Sequence, residues 1–203
     1  LRNILVVLEY DGTDFYGFQR QRNALTVQEV VEQALQRLTG TATRVTGAGR
    51  TDAGVHAYAQ VVNFRSEARI PTERWAAALN SVLPQAIAAS EAREVPEEFH
   101  ARNCAHSKTY LYRVVNRPRR SPLHARYAHH YPAPLDVQAM REAMSALLGK
   151  HDFSAFARRE QGDRRSPVRT VLRAECWREA EVINLLLQAD GFLHKMARSV
   201  VGT

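Results

Sequence analysis

The order in which the hydrophobic period changes along the chain restricts its fold more than any other feature. Asn3 to Tyr10, NILVVLEY, is an apolar and largely β-branched run that reads as a buried strand, and Asp11-Gly12-Thr13 ends it. Thr26-Val-Gln-Glu29 is a capping box, after which Val27, Val30, Val31, Ala34, Leu35 and Leu38 recur on one helical face until Gly40 closes the helix. Residues 43 to 46 make a short strand and residues 56 to 64, HAYAQVVNF, a longer one. Pro71-Thr72 opens a second helix with Trp75, Leu79, Val82 and Leu83 inward and Pro84 as its stop, and residues 87 to 93 form a last strand. This β-α-β-β-α-β order is the ferredoxin-like unit, an antiparallel sheet with two helices on one face.

A polar stretch from Pro96 to Lys108 connects to a second half. Thr109 to Asn116 resumes strand character, with Tyr110 and Tyr112 on one side by alternation. Residues 126 to 131 read as another strand. Asp136 caps a third helix with Val137, Met140, Met144, Leu147 and Leu148 inward, closed at Gly149. Residues 157 to 166, ARREQGDRRS, lack aliphatic anchors and are expected to form a mobile loop. Residues 168 to 177 and 181 to 189 pair as a hairpin, and a helix begins within 191 to 201. The second half therefore repeats the first loosely, in element order. The expected fold is α+β, with two ferredoxin-like halves, 1 to 105 and 106 to 203. They form a mixed, mainly antiparallel sheet with helices on one face and a central cleft.

Charge separates these halves. Residues 1 to 105 carry 11 basic and 12 acidic groups, net −1, whereas residues 106 to 203 carry 17 and 9, net +8, so the whole of the net charge of +7 comes from the second half. That half is the candidate for binding a polyanion. Only Lys108, Lys150 and Lys195 among the 28 basic residues are lysine, which suits bidentate phosphate contacts, although a GC-rich genome or a hot habitat favours arginine too. No apolar run approaches the roughly 18 residues of a membrane span and no signal-peptide pattern opens the chain, so a soluble cytoplasmic protein is expected. Cys104 and Cys176 form no C-x-x-C pair and the eight histidines show no metal-ligand spacing, which argues against zinc and against a disulfide framework.

The stretch with the most chemical potential is GAGRTDAGVHA, residues 47 to 57. Its glycines and alanines leave room for a large substrate to approach the backbone, with only Arg50 and Asp52 as strong charges. Taken alone, it reads first as a tight connection between strands. It lacks the spacing of a dinucleotide or Walker loop, and a strand rather than a helix follows it. Two other stretches invite RNA: FYGFQRQR, residues 15 to 22, mixes rings with Arg20 and Arg22, and RPRRSP, residues 117 to 122, carries Arg117, Arg119 and Arg120. The first reads also as a loop packing its rings inward, the second as a solvated turn.

Together the blocks YDGTDFYGFQRQ (10 to 21), TVQEVVEQAL (26 to 35), GAGRTDAGVHA (47 to 57), FHAR (99 to 102), KTYLYRV (108 to 114) and FLHKMARSVVG (192 to 202) resemble the A-type tRNA pseudouridine synthases, in that family's order. The resemblance implies an enzyme that isomerises uridine to pseudouridine at positions 38 to 40 of the tRNA anticodon stem-loop, as a homodimer and without metal or organic cofactor. It implies Asp52 as the catalytic carboxylate, Arg50 as the side chain that displaces and replaces the flipped base, Tyr110 as a wall of the uracil pocket and Arg198 as the partner of the aspartate. Lys108 and Lys195, in the same blocks, join Arg20, Arg22, Arg117, Arg119 and Arg120 as candidates for the RNA backbone. The chemistry suits the residues: breaking N1 to C1′ and joining C5 to C1′ consumes neither water nor electrons, so one carboxylate acting as nucleophile or base suffices. A non-catalytic RNA-binding protein of the same fold is the alternative, and a hydrolase using Asp52 with His56 a third reading.

Overall fold

The apolar run at the start of the chain becomes strand β1 (Arg2–Tyr10), hydrogen-bonded on both sides and buried on both faces, with Ile4, Leu5, Val6 and Leu8 all at most 2% exposed. In this computed structural model residues 1–158 and 166–203 are described, and most of the expected mobile loop at 157 to 166 lies outside them. The chain divides into two compact units, Leu1–Ala105 and His106–Thr203.

In the first unit, helix α1 (Val27–Thr39), strands β2 (Thr46–Gly47) and β3 (Ala57–Ser66), helix α2 (Trp75–Asn80) and strand β4 (Ile87–Val95) follow β1. The sheet order is β2-β3-β1-β4, with every pair antiparallel. Each helix thus joins two strands separated by a third, the split β-α-β arrangement of the ferredoxin-like unit. One core holds Ile4, Val6 and Leu8 of the sheet with Val27, Val31 and Leu35 of α1 and Trp75 and Leu79 of α2. On the other face, Asn3 and Asn63 tie down the segment that leaves β4. Asn3 Nδ2 donates to the carbonyls of Pro96 (2.9 Å) and Phe99 (3.0 Å), and Asn63 Oδ1 accepts from Ala101 N–H at 2.9 Å.

Helix α1 starts where the capping box predicts, with Thr26 Oγ1 accepting from Glu29 N–H at 3.3 Å, and ends at Gly40 with φ 72°. Its inward face holds two polar residues that the apolar period does not reveal, Gln28 and Glu32. Glu32 accepts from Val45 N–H (3.1 Å), Gln28 Nε2 (3.0 Å) and Arg20 Nη1 (3.0 Å), so one carboxylate fixes the strand that enters the glycine loop. Replacing Glu32 by alanine leaves the Val45 N–H and Gln28 without that acceptor. The expected loss is about 2–3 kcal/mol of unfolding free energy, read by denaturant titration, and Glu32→Gln should retain part of it. Helix α2 is shorter than predicted: Asn80 turns its amide onto the backbone of Ala89, accepting at 2.7 Å and donating at 2.9 Å, and Val82 and Leu83 pack against the core from beyond the helix.

The second unit contains β5 (Lys108–Asn116), β6 (His129–Tyr131), α3 (Val137–Ser145), β7 (Gly149–Asp152), β8 (Val168–Glu179), β9 (Val182–Ala189) and α4 (Met196–Gly202). Its sheet order is β6-β5-β9-β8-β7, antiparallel except for the β5–β6 pair. The run β5-β9-β8 repeats the arrangement of β1-β3-β2, and β6 and β7 are added at its edges. The α+β class is as expected, with the strands in two sheets, one in each unit. Several boundaries differ. Helix α3 stops at Ser145, leaving Leu148 46% exposed, and Gly149, with φ 94°, opens β7 instead of closing the helix. Helix α4 begins only at Met196 because Lys195 adopts a left-handed φ of 64°, which breaks the helical period anticipated from residue 191.

Candidate active-site loop

Residues 47 to 56 owe their shape to the segment that follows β1. Phe18 N–H donates to Thr51 O (3.1 Å), Gly54 N–H to Phe15 O (3.1 Å), and the Tyr10 hydroxyl lies 2.9 Å from Thr51 Oγ1. Gly12 N–H donates to His56 Nδ1 at 3.1 Å, and Asp11 Oδ1 lies 3.1 Å from the same nitrogen. Asp11 Oδ1 also accepts from Thr13 N–H at 2.9 Å. From the other side, Gln60 Nε2 donates to Gly49 O (2.9 Å).

Two glycines permit this contact, and neither belongs to the glycine-rich loop itself. A Cβ on Gly12 would lie 2.0 Å from Val55 O, and one on Gly17, whose φ is 84°, 2.5 Å from Thr51 O. The two backbones therefore pack closer than any side chain allows. The loop carries Arg50 and Asp52 outward, both exposed.

The aromatic segment preceding α1 serves packing. Phe15 and Phe18 are 5% and 2% exposed in the core of the first unit, and of its rings only Tyr16, at 63%, faces solvent. That overturns the base-stacking reading for the two phenylalanines: they are the underside of the loop's support. Arg20 is held by Glu32 at 3.0 Å and Glu29 at 3.6 Å, while Arg22 is exposed.

The remaining predicted residues lie in the second unit. Tyr110 is half-buried on β5 and meets the Phe192 ring edge to face, with centroids 4.8 Å apart. Phe192 begins the turn that leads through Lys195 to Arg198 on α4, and both of these basic residues are exposed. Arg119 and Arg120 are exposed between β5 and β6, Arg117 and Lys108 half-buried. Cys176 is buried among apolar groups, and burial pushes its thiol up against the opposing effect of Arg141 and Arg178, so it stays protonated at neutral pH. Among the described residues no group of three or more His, Cys, Asp or Glu is placed to hold a metal ion.

The sequence profile of the family described as tRNA pseudouridine synthase matches residues 6–102 and 143–203, most of both units, including the loop and α4. The chain belongs to that family. A protein of Thermoanaerobacter sp. named tRNA pseudouridine synthase A is 43% identical to it over 203 residues, covering the whole chain and 83% of the relative. One of Clostridium perfringens, tRNA pseudouridine synthase A 2, is 42% identical with the same coverage, and one of Halalkalibacterium halodurans, tRNA pseudouridine synthase A, is 43% identical over 206 residues and 77% of its length. No helix among the described residues is long and apolar enough to cross a membrane.

The sequence singles out Asp52 and Arg50 as candidates but not what holds their loop. Tyr10, Gly12, Gly17, Thr51 and His56 position the loop, and their only sequence signal is that both stretches are rich in glycine between strand patterns. Nothing local to either stretch announces that the two meet.

Proposed function

We propose that this chain isomerises uridine to pseudouridine in tRNA, in the anticodon stem-loop at positions 38 to 40, with Asp52 as the catalytic carboxylate. The observation that carries the reading is an exposed Asp52 on a loop whose backbone is locked from beneath, in a chain of the tRNA pseudouridine synthase family. A rigid support spares the loop from reorganising when the substrate arrives. The target base must leave its stack at a cost of a few kcal/mol, and Arg50, exposed two residues before Asp52, is suited to fill the gap. Tyr110 offers the flipped uracil a ring face already braced by Phe192. Arg198 is assigned as the guanidinium that balances the reacting carboxylate. A cytoplasmic homodimer is part of the same reading.

Because pseudouridine has the mass of uridine, the test is chromatographic nucleoside analysis of tRNA incubated with the protein. Pseudouridine supports the proposal, free uracil points to hydrolysis, and tight binding with unchanged uridine points to the non-catalytic RNA-binding alternative. Arg198→Lys keeps the charge but lacks the planar fork. It is expected to lower kcat about tenfold to a hundredfold with KM for tRNA little changed, measured in steady state.

A further inference from the structure

Strands β5 and β6 run side by side only at Val114–Asn116 and His129–Tyr131, and between them the chain makes an excursion with four arginines and no acidic residue. Such a segment repels itself, and left loose it would pay ordering entropy on meeting any ligand. Its neck is instead densely bonded. Arg117 donates through Nε to Arg119 O (2.8 Å), through Nη2 to Arg120 O (3.3 Å) and through Nη1 to Glu181 Oε2 (2.7 Å). Asn116 Nδ2 donates to Tyr131 O (3.0 Å) and Ala133 O (2.6 Å), and Asn116 Oδ1 accepts from Arg178 Nη2 at 2.9 Å. The ring of His130 closes the neck on Arg117 O at 2.8 Å. Beyond it, the side chains of Arg119 and Arg120 are exposed and make no hydrogen bond or ion pair among the described residues.

We propose that residues 117 to 133 form a preorganised arm that grips RNA phosphates through Arg119 and Arg120, with Arg117 and Glu181 as positioning residues that hold its shape. This rests on the reading of tRNA as substrate and reassigns one of the residues in it. Arg117 looks in sequence like a third phosphate ligand, but all three of its nitrogens are committed within the protein. Glu181, an acid on an RNA-facing surface, then has a positive role.

The test combines tRNA binding across a salt series with limited trypsin cleavage of the RNA-free protein. Arg119→Ala and Arg120→Ala should each weaken binding and lower the slope of log K against log salt by about 1. Arg117→Lys, which keeps the charge but cannot reach three partners, should weaken binding about tenfold with the slope unchanged. Glu181→Ala removes a negative charge and on Coulombic grounds should tighten binding; the arm requires it to weaken binding, by about threefold. Both neck variants should be cut faster than wild type after Arg119 and Arg120 with thermal midpoints little altered. The proposal is overturned if Glu181→Ala tightens binding, if Arg117→Lys binds like wild type while Arg117→Ala lowers the slope, or if cleavage is no faster in the neck variants. Wild-type protein that binds no tRNA would sink the substrate reading, whereas faster cleavage of the neck variants would still show that Arg117 and Glu181 hold the arm.

Discussion

Asp52→Asn is expected to reduce pseudouridine formation by about a thousandfold or more in kcat/KM while leaving tRNA binding as tight as wild type or tighter. The substitution preserves shape and removes only charge and nucleophilicity. Backbone bonds at Thr51, Gly54 and Phe18 and the Thr51 hydroxyl seat the loop and are untouched by the change. At the RNA-contacting surface proposed for this loop, losing a negative charge favours association. The measurement pairs nucleoside chromatography with a binding titration on the same preparations. Equal pseudouridine from both proteins would end the assignment of Asp52, and a parallel loss of binding and activity would mean that the loop, not the carboxylate, had been damaged.

Gly12→Ala should be the most damaging change that touches no functional side chain. The new methyl would stand 2.0 Å from Val55 O and 2.5 Å from Val55 C. Both are backbone atoms of the loop that carries Asp52, so no side-chain rotation relieves the clash and either the loop or the turn after β1 must move. About 3 kcal/mol of stability is expected to be lost, together with a hundredfold or larger fall in kcat/KM from misplacement of Asp52 by roughly an ångström. Gly54→Ala is the control. Its φ of 76° is strained for alanine but nothing lies within 4 Å, so a cost near 1 kcal/mol is expected. Denaturant unfolding and steady-state kinetics on the two variants separate the effects. A Gly12→Ala protein with wild-type stability and activity would show that the loop does not rest on this contact.

How far the sequence could be read depended on the range of the forces involved. Helix α1 was legible to within a residue because Thr26, Glu29 and Gly40 act within a turn of themselves. The hairpin of β8 and β9 was legible for the same reason, with Ala180 at φ 51° in its turn. Helix α2 was overextended because its end is set by Ala89 on the neighbouring strand, and α3 because Gly149 serves a strand rather than a cap. Phe15 and Phe18 have the composition of an RNA-binding loop and the burial of a core. Composition does not say which way a ring points.

By itself the sequence determined the α+β class, the order of elements in the first unit, the basic second half and the candidacy of Asp52, since each follows from periodicity, local capping, charge or a contiguous motif. Only the tertiary structure decided what supports that aspartate, which of the arginines 117, 119 and 120 is already committed, and why Glu32 is buried in an apolar helix face. These depend on pairs such as Gly12 with Val55 and Arg117 with Glu181. Such contacts join residues far apart along the chain, and hydrogen bonds and hard-core repulsion act only at the distances to which folding brings them.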